Sequence, residues 1–292
     1  MQISFKKLLY LFIFVMLLSL GYQAFAEAEK KNRHPLEVNF LDVGQGDSIL
    51  IDYLSHYQIL IDAGKDGNRT LKEVEKLMPP GDNKIDIIVA THPDMDHIGG
   101  MPKVLDHFDA GLFLDNGFDD KGGAQEKMNS KLESKGISRR AVFEGSKIDL
   151  GKHLKIEVYN PDNRNYNKND KNGDSVVLRM DFGENSFLFT GDITEKTERD
   201  ILNDEEDIDT DWLKVAHHGS KSSSSEEFIE EVDPEYSIIS VGENSYGHPH
   251  PDAVEVLDNL SGEVLTTRQE GTIRAGCPGI DQNCFILGRS KN

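Results

Sequence analysis

Between Thr91 and Gly100 the chain reads "THPDMDHIGG", which sets His92, Asp94, Asp96 and His97 close together directly after the apolar run "IDIIVA". As a plain turn, two imidazoles and two carboxylates at this spacing would be an uncompensated desolvation and charge problem. As metal ligands they divide into pairs. His92 and Asp94, two apart on a loop, can share one ion, while Asp96 and His97 can serve a second. Asp192, which ends "FLFTGD", could bridge both through its two oxygens. Ions in such a pair sit ~3.5–4 Å apart, and a water held between them loses its proton near neutral pH and becomes a nucleophile. Zinc at a comparable site brings its water to a pKa of roughly 7.

The remaining chemistry-bearing residues also fall at the ends of apolar runs. Asp62 ends "ILIDAG", His217 and His218 end "LKVAHHGS", Asn172 or Asp174 precedes "SVVLRM", and His248 and His250 follow "SIISVGENSYG". Strands would deliver all of them to one rim, where sites are commonly built on a rigid scaffold. His56, His107 and His153 stand alone and receive no role.

Short β-rich runs supply that scaffold. "LEVNFLDV" (36–43), "DSILIDY" (47–53) and "QILIDAG" (58–64) read as strands separated by the turns "GQGD" and "DAG". "TLKEVEKLM" (70–78) has Leu71, Val74, Leu77 and Met78 at helical spacing and is stopped by Pro79-Pro80. "IDIIVATH" is a strand, and "GGMPKVLDHF" opens a helix after the ligand cluster. Strands "GLFLDN", "HLKIEVYN", "SVVLRMDF", "SFLFTGD", "DWLKVAHHG", "YSIISVG", "EVLTT" and "CFILG" follow, interspersed with helices "ITEKTERDILN", "SEEFIEEV" and "AVEVLDNL". The alternation predicts an α/β sandwich, with sheets packed together and helices covering them. Lys121–Arg140 is locally basic, with six Lys or Arg against Glu126 and Glu133, and reads as a solvated helix face; "NDEEDIDTD" (203–211) reads as an acidic turn.

The N-terminus has the pattern of an export signal: Lys6 and Lys7, an apolar run from Leu8 to Leu20, then Ala24-Phe25-Ala26 as the small-x-small cleavage pattern. The expected organisation is a signal peptide over 1–26, a short linker over 27–35 and one hydrolase-type domain over 36–292. An uncleaved anchor is the rival, because Leu8–Ala26 approaches the ~20 apolar residues that span a bilayer. With cleavage no stable membrane span is expected, and the protein would be secreted or held at the cell surface. The 292-residue chain carries a net charge of −20, and loss of the two lysines would make it more acidic still. Such a surface repels polyanions and argues against a passive nucleic-acid binder, though bound metal ions could supply positive charge locally. Cys277 and Cys284, seven apart, could close a small loop as a disulfide or remain as two thiols.

In order, "FLDVGQGDSILI", "LIDAG", "THPDMDHIGG", "FLFTGD", "KVAHHGS" and "YGHPHP" resemble the metallo-β-lactamase fold, and specifically the branch similar to the C-terminal domain of the competence DNA-uptake channel ComEC. The resemblance spans about Leu36 to Leu287. It implies a four-layer αββα sandwich with a dinuclear Zn²⁺ or Mn²⁺ centre on one edge. It makes His92 and Asp94 ligands of the first ion, Asp96 and His97 ligands of the second, Asp192 the bridge and His217 a further ligand of the second, with His218 the alternative. Asp62 would orient the ligands. Asp96, as ligand, and His248, as proton donor or phosphate contact, are the residues assigned to the catalytic step.

Two departures from the broader family pattern matter. Asp94 replaces the second His of His-x-His-x-Asp-His, and "NKNDKNGDSVVL" lacks the His that precedes the bridging Asp, leaving Asn172, Asp174 or Ser175 to fill or vacate that position. Both exchange nitrogen for oxygen, which suits manganese more than an all-imidazole site would. The resemblance implies phosphodiester cleavage, with extracellular DNA as the first substrate. The alternatives are an enzyme similar to the phosphorylcholine esterase acting on cell-wall phosphodiesters, and a non-catalytic DNA-uptake accessory that keeps the metals. No long apolar segment follows Leu20, so a role in transport would require separate competence or cell-surface machinery.

Overall fold

The computed structural model describes residues 5–118, 123–162, 170–204 and 206–291. The first residues of the expected signal, Lys121 of the basic stretch, Asn167–Asn169 of "NKNDKNGDSVVL" and Glu205 of the acidic turn lie outside them. A long helix, α1 (Phe5–Asn32), comes first. Its stretch Lys7–Ala24 is long and apolar enough to cross a membrane, and none of it is buried against the rest of the chain.

Two sheets follow. The first contains β1 (Leu36–Phe40), β2 (Ile49–Tyr53), β3 (Tyr57–Ile61), β4 (Lys84–Ala90), β5 (Asp109–Asp115) and β6 (Ser138–Ala141). The second contains β7 (Lys147–Asp149), β8 (Leu154–Asn160), β9 (Val177–Phe182), β10 (Asn185–Phe189), β11 (Trp212–Lys214), β12 (Tyr236–Ile239) and β13 (Glu263–Thr266). The chain then returns to the first sheet as β14 (Ile273–Cys277) and β15 (Phe285–Arg289), giving the orders β15-β14-β1-β2-β3-β4-β5-β6 and β13-β12-β11-β10-β9-β8-β7. The helices are α2 (Gly67–Leu77), α3 (Met95–Ile98), α4 (Met101–His107), α5 (Gly123–Lys135), α6 (Glu195–Asn203), α7 (Glu226–Val232), α8 (Pro251–Leu260) and α9 (Thr267–Glu270).

Three apolar layers fill the spaces between these elements. The central one joins the sheets: Val38, Phe40 and Ile51 from the first meet Phe187, Phe189 and Trp212 from the second. The Trp212 ring stacks on Tyr236 at 4.1 Å and on Phe187 at 5.7 Å. A second layer packs Leu50, Leu60, Ile88 and Phe113 against Val74, Val104, Leu105 and Met128 of α2, α4 and α5. A third packs Leu188, Leu213 and Ile239 against Ile201, Phe228 and Leu257 of α6, α7 and α8. Both faces of both sheets are therefore covered, as the four-layer αββα expectation required. It also explains why β1 and β2 are buried at every position, Glu37, Asn39 and Asp52 included.

Three strands escaped the sequence pattern: β6, β14 and the three-residue β7, "KID", which pairs with β8 at the edge of the second sheet. β6, "SRRA", is exposed throughout and has no apolar alternation; only its pairing with β5 at the sheet edge makes it a strand. β14, "IRAGC", pairs with β1 from the opposite end of the chain, a partnership that local periodicity does not encode. Cys277 and Cys284 are joined as a disulfide between β14 and the start of β15.

The pairing that positions the site is parallel. β3 pairs with β4 in one sheet, and β10, β11 and β12 run parallel in the other. Their C-terminal ends lie on one edge of the sandwich, the place where open α/β sheets assemble binding crevices. Asp62 follows β3, His92 follows β4, Asp192 follows β10, His217 and His218 follow β11, and Ser240 follows β12.

Candidate metal centre

Two of the segments cross that edge in backbone geometry side chains rarely adopt. Asp62, His217 and His218 have φ values of 56°, 48° and 56°, the left-handed region that costs a non-glycine residue free energy and that clusters at functional sites. The turn "GQGD" approaches equally closely. Gly46, at φ 122°, leaves no room for a side chain, because an added Cβ would lie 2.0 Å from the Asp96 carbonyl oxygen. The Asp47 amide donates to that same carbonyl at 3.2 Å, which ties the turn to α3 and its ligands.

Each buried histidine is held through Nδ1. His97 Nδ1 meets Asp62 Oδ2 at 2.7 Å; a carboxylate only accepts, so the proton sits on Nδ1. Asp62 also accepts from the Thr91 amide at 2.9 Å and from the Thr91 hydroxyl at 2.6 Å. With its proton committed there, the hydroxyl accepts from His92 Nδ1 at 3.1 Å. His218 Nδ1 donates to the Ser240 carbonyl at 2.9 Å, with Asp47 Oδ1 at 3.3 Å. The other ring nitrogen of each, Nε2, is left buried and without a hydrogen-bond partner.

Those three nitrogens converge on one carboxylate. Asp192 Oδ2 lies 3.8 Å from His92 Nε2, 3.2 Å from His97 Nε2 and 3.4 Å from His218 Nε2, and Asp96 Oδ2 lies 3.5 Å from His218 Nε2. Buried polar atoms are normally satisfied. Three convergent imidazole lone pairs beside two carboxylates are the donor set of a divalent cation of the zinc or manganese type. His92, His97 and Asp192 form one such cluster, and Asp96, His97 and His218 another.

The charge balance points the same way. Burial works against the positive form of His218, but the Asp192 and Asp47 carboxylates outweigh it and raise its pKa to about 9. His97 is likewise opposed by burial and pushed well above its ordinary value by Asp192 and Asp62. Burial would raise Asp192, yet His218 and His97 hold it well below the usual carboxylate range. His92 is driven down to about 3 by burial and by His97. The carboxylates thus favour positive charge at His97 and His218, while His92 stays neutral.

Not every expected residue joins the cluster. Asp94 caps the start of α3 with its side chain toward Lys171 Nζ at 3.8 Å, and it belongs to none of the ligand clusters among the described residues. Burial raises its pKa, with Lys171 partly opposing. His217, the favoured ligand from sequence, is part-exposed; its Nε2 is 3.9 Å from Asp192 Oδ2 and 3.4 Å from Asn172 Nδ2. His218 occupies the inner position instead, because the left-handed turn points it at Ser240 and Asp47. Asp174 is buried, its carbonyl accepting from the Asn116 side-chain amide, and it belongs to none of the ligand clusters among the described residues. His248 stacks on His217 at 5.5 Å, its Nδ1 buried and unpartnered, and burial lowers its pKa.

Asp47, Lys214 and Ser240 were not anticipated. Lys214 Nζ lies 2.6 Å from Asp47 Oδ2 and donates to the Val215 carbonyl at 2.9 Å, in a pair almost wholly buried. The available signal was the single lysine inside the apolar run "DWLKVAHHG": a lysine there cannot be buried without a carboxylate partner.

Sandwich and histidine cluster together describe a metal-binding hydrolase fold. The chain belongs to the metallo-β-lactamase superfamily, whose description "Metallo-beta-lactamase superfamily" matches residues 41–243. It is similar to "ComE operon protein 3" of Bacillus subtilis, at 34% identity over 257 residues, covering 82% of this chain and 32% of that protein. It is also similar to "Recombination protein 2" of Haemophilus influenzae, at 28% identity, covering 82% of this chain and 28% of that one. The chain thus spans about a third of the length of these curated relatives. Among solved structures, the metallo-beta-lactamase fold protein YhfI from Bacillus subtilis superposes with a TM-score of 0.51 at 12% identity, covering 79% of this chain and 95% of that one, a likeness of fold.

Proposed function

We propose that this chain is an extracytoplasmic phosphodiesterase that holds two divalent ions and cleaves DNA. The observation that carries the proposal is the convergence of the buried, unpartnered Nε2 atoms of His92, His97 and His218 on Asp192. His92 and Asp192, joined by Asp94 in the role its family position implies, would hold one ion. Asp96, His97 and His218 would hold the other, with Asp192 between them. Ions bound there supply Lewis acidity toward a phosphoryl oxygen and lower the pKa of water at the site.

The chain's own residues do the rest. Asp62 fixes the His97 tautomer directly and that of His92 through Thr91, keeping both Nε2 lone pairs aimed inward. Ser240 and Asp47 do the same for His218. His248 is assigned the contact to a phosphoryl or leaving oxygen, supported by its unpartnered Nδ1 beside His217. The apolar stretch Lys7–Ala24 supports delivery to or across a membrane, and the likeness to "ComE operon protein 3" supports DNA as the first substrate to try.

The test is hydrolysis by the full chain with Mn²⁺ or Zn²⁺ of linear DNA, a chromogenic phosphodiester, a phosphorylcholine ester and a β-lactam. Cleavage of the first two, reduced at least ~100-fold in Asp96→Ala, is expected from loss of a metal ligand. Unchanged activity in that variant, or turnover of the choline ester or β-lactam alone, would reject the proposal.

A further inference from the structure

Apolar side chains are exposed next to the metal centre. Among the described residues outside α1, the large hydrophobic side chains left exposed are Leu54, Met95, Tyr246 and Phe285. Met95 lies between Asp94 and Asp96, and Tyr246 lies two residues before His248, so two of these four border site residues. Tyr246 is the most exposed of them, at 73%.

The loop presenting Tyr246 is pinned. Asn244 Oδ1 accepts from the amides of Tyr246, Gly247 and His248 at 3.0–3.1 Å, and Asn244 Nδ2 donates to the carbonyls of Gly242 and His248 at 2.9 and 2.8 Å. The ring is therefore held out into solvent on an ordered backbone. It is also the outer member of a row. Tyr246 lies 5.9 Å from the His248 ring, His248 lies 5.5 Å from the His217 ring, and His217 Nε2 lies 3.9 Å from Asp192 Oδ2. A row of rings, its outer pair tilted by 43° and its inner pair by 27°, thus leads from solvent to the carboxylate on which the histidines converge.

We propose that Tyr246, backed by His248, is a stacking shelf for a nucleobase of a single-stranded nucleic-acid substrate, next to the bond to be cleaved. The proposal rests on the phosphodiesterase assignment and specifies what that site recognises. A chain of net charge −20 cannot draw affinity from broad phosphate neutralisation. Base–aromatic stacking is a source of affinity independent of charge and of base identity. A quaternary ammonium group fits less well, because cation recognition uses rings facing one another as a cage, whereas here the His217 and His248 planes are 27° apart in a stack.

The experiment measures binding of a short fluorescein-labelled phosphorothioate oligothymidylate, and of its abasic counterpart, to the metal-loaded full chain by anisotropy. Tyr246→Ala should weaken oligothymidylate binding about tenfold, within the range that stacking supplies. Tyr246→Phe should restore it, and the abasic oligomer should bind wild type and both variants alike. Equal loss for both oligomers, no binding of oligothymidylate by the wild type, no rescue by Tyr246→Phe, or a Tyr246 dependence seen only with p-nitrophenyl phosphorylcholine would overturn the shelf. Base-dependent binding of the phosphorothioate with no cleavage of unmodified oligothymidylate would reject the hydrolase assignment and leave base stacking at Tyr246 standing. Cleavage with base-independent binding would reject the shelf alone.

Discussion

Lys214 Nζ sits 2.6 Å from Asp47 Oδ2, with both side chains almost wholly buried, directly behind His218. Asp47 in turn approaches His218 Nδ1 at 3.3 Å, so one buried ion pair underlies a ring of the metal cluster. Burial would raise Asp47, but Lys214 and His218 hold it below its ordinary value. Removing one partner of such a pair strands the other, at a cost of about 3–5 kcal/mol. Lys214→Met should lower unfolding stability by that order in urea titration, and Lys214→Met with Asp47→Leu should recover part of it. Additive losses in the double variant would show that the two do not act as a pair.

The neighbouring histidines should differ in their hold on metal. His218 Nε2 is buried between Asp96 and Asp192, whereas His217 is part-exposed at the rim. His218→Ala is expected to reduce metal affinity at least ~10-fold more than His217→Ala, since it removes a direct donor. Competition against a chromogenic chelator measures both, and the reverse order would restore His217 to the inner position.

Asp62 contacts ligands without reaching the carboxylate pair itself. Its two oxygens hold Thr91 and His97, and through Thr91 they reach His92. Asp62→Ala should therefore lower metal affinity by roughly 10–100-fold, the usual effect of losing such support. Metal content unchanged at limiting metal would refute that coupling.

A pH effect is expected away from the centre. Glu198 on α6 is fully buried and accepts from the Ser224 and Ser225 amides and the Ser225 hydroxyl. Burial nonetheless raises its pKa above the ordinary glutamate value, the hydrogen bonds opposing only in part. In the window between the two values the folded state binds more proton than the unfolded state, so stability falls as pH rises. Glu198→Gln lacks that titration. The wild type's advantage in Tm over Glu198→Gln should shrink as pH rises from ordinary glutamate values through the raised one. A gap that widens instead would contradict the sign.

Much of this molecule is legible in its residues. Continuous apolar runs ending in His, Asp or Gly mark strands buried on both faces and delivering ligands to an edge, because β3, β4, β10, β11 and β12 run parallel with their C-terminal ends together. The helix over Gly67–Leu77 and the cluster around His92 are local patterns of spacing and capping, and local patterns survive in sequence. β6 and β14 do not, since a polar edge strand and a strand paired with the other end of the chain exist only through their partners.

The site divides along the same line. Residue types and spacing by themselves named His92, Asp94, Asp96, His97 and Asp192 as a group, because so many ligand-type side chains at strand ends would otherwise be an uncompensated charge problem. Only the tertiary structure separates the placement of His218, buried between Asp96 and Asp192, from that of His217 at the rim. Adjacent residues in a left-handed turn point in different directions, and His218 is aimed by Ser240, just after β12, and by Asp47, in the turn before β2. It alone turned Asp94 toward Lys171 and placed Lys214 behind the cluster. A ligand's identity is carried by its own side chain, but its aim is carried by hydrogen bonds to residues far away in the chain.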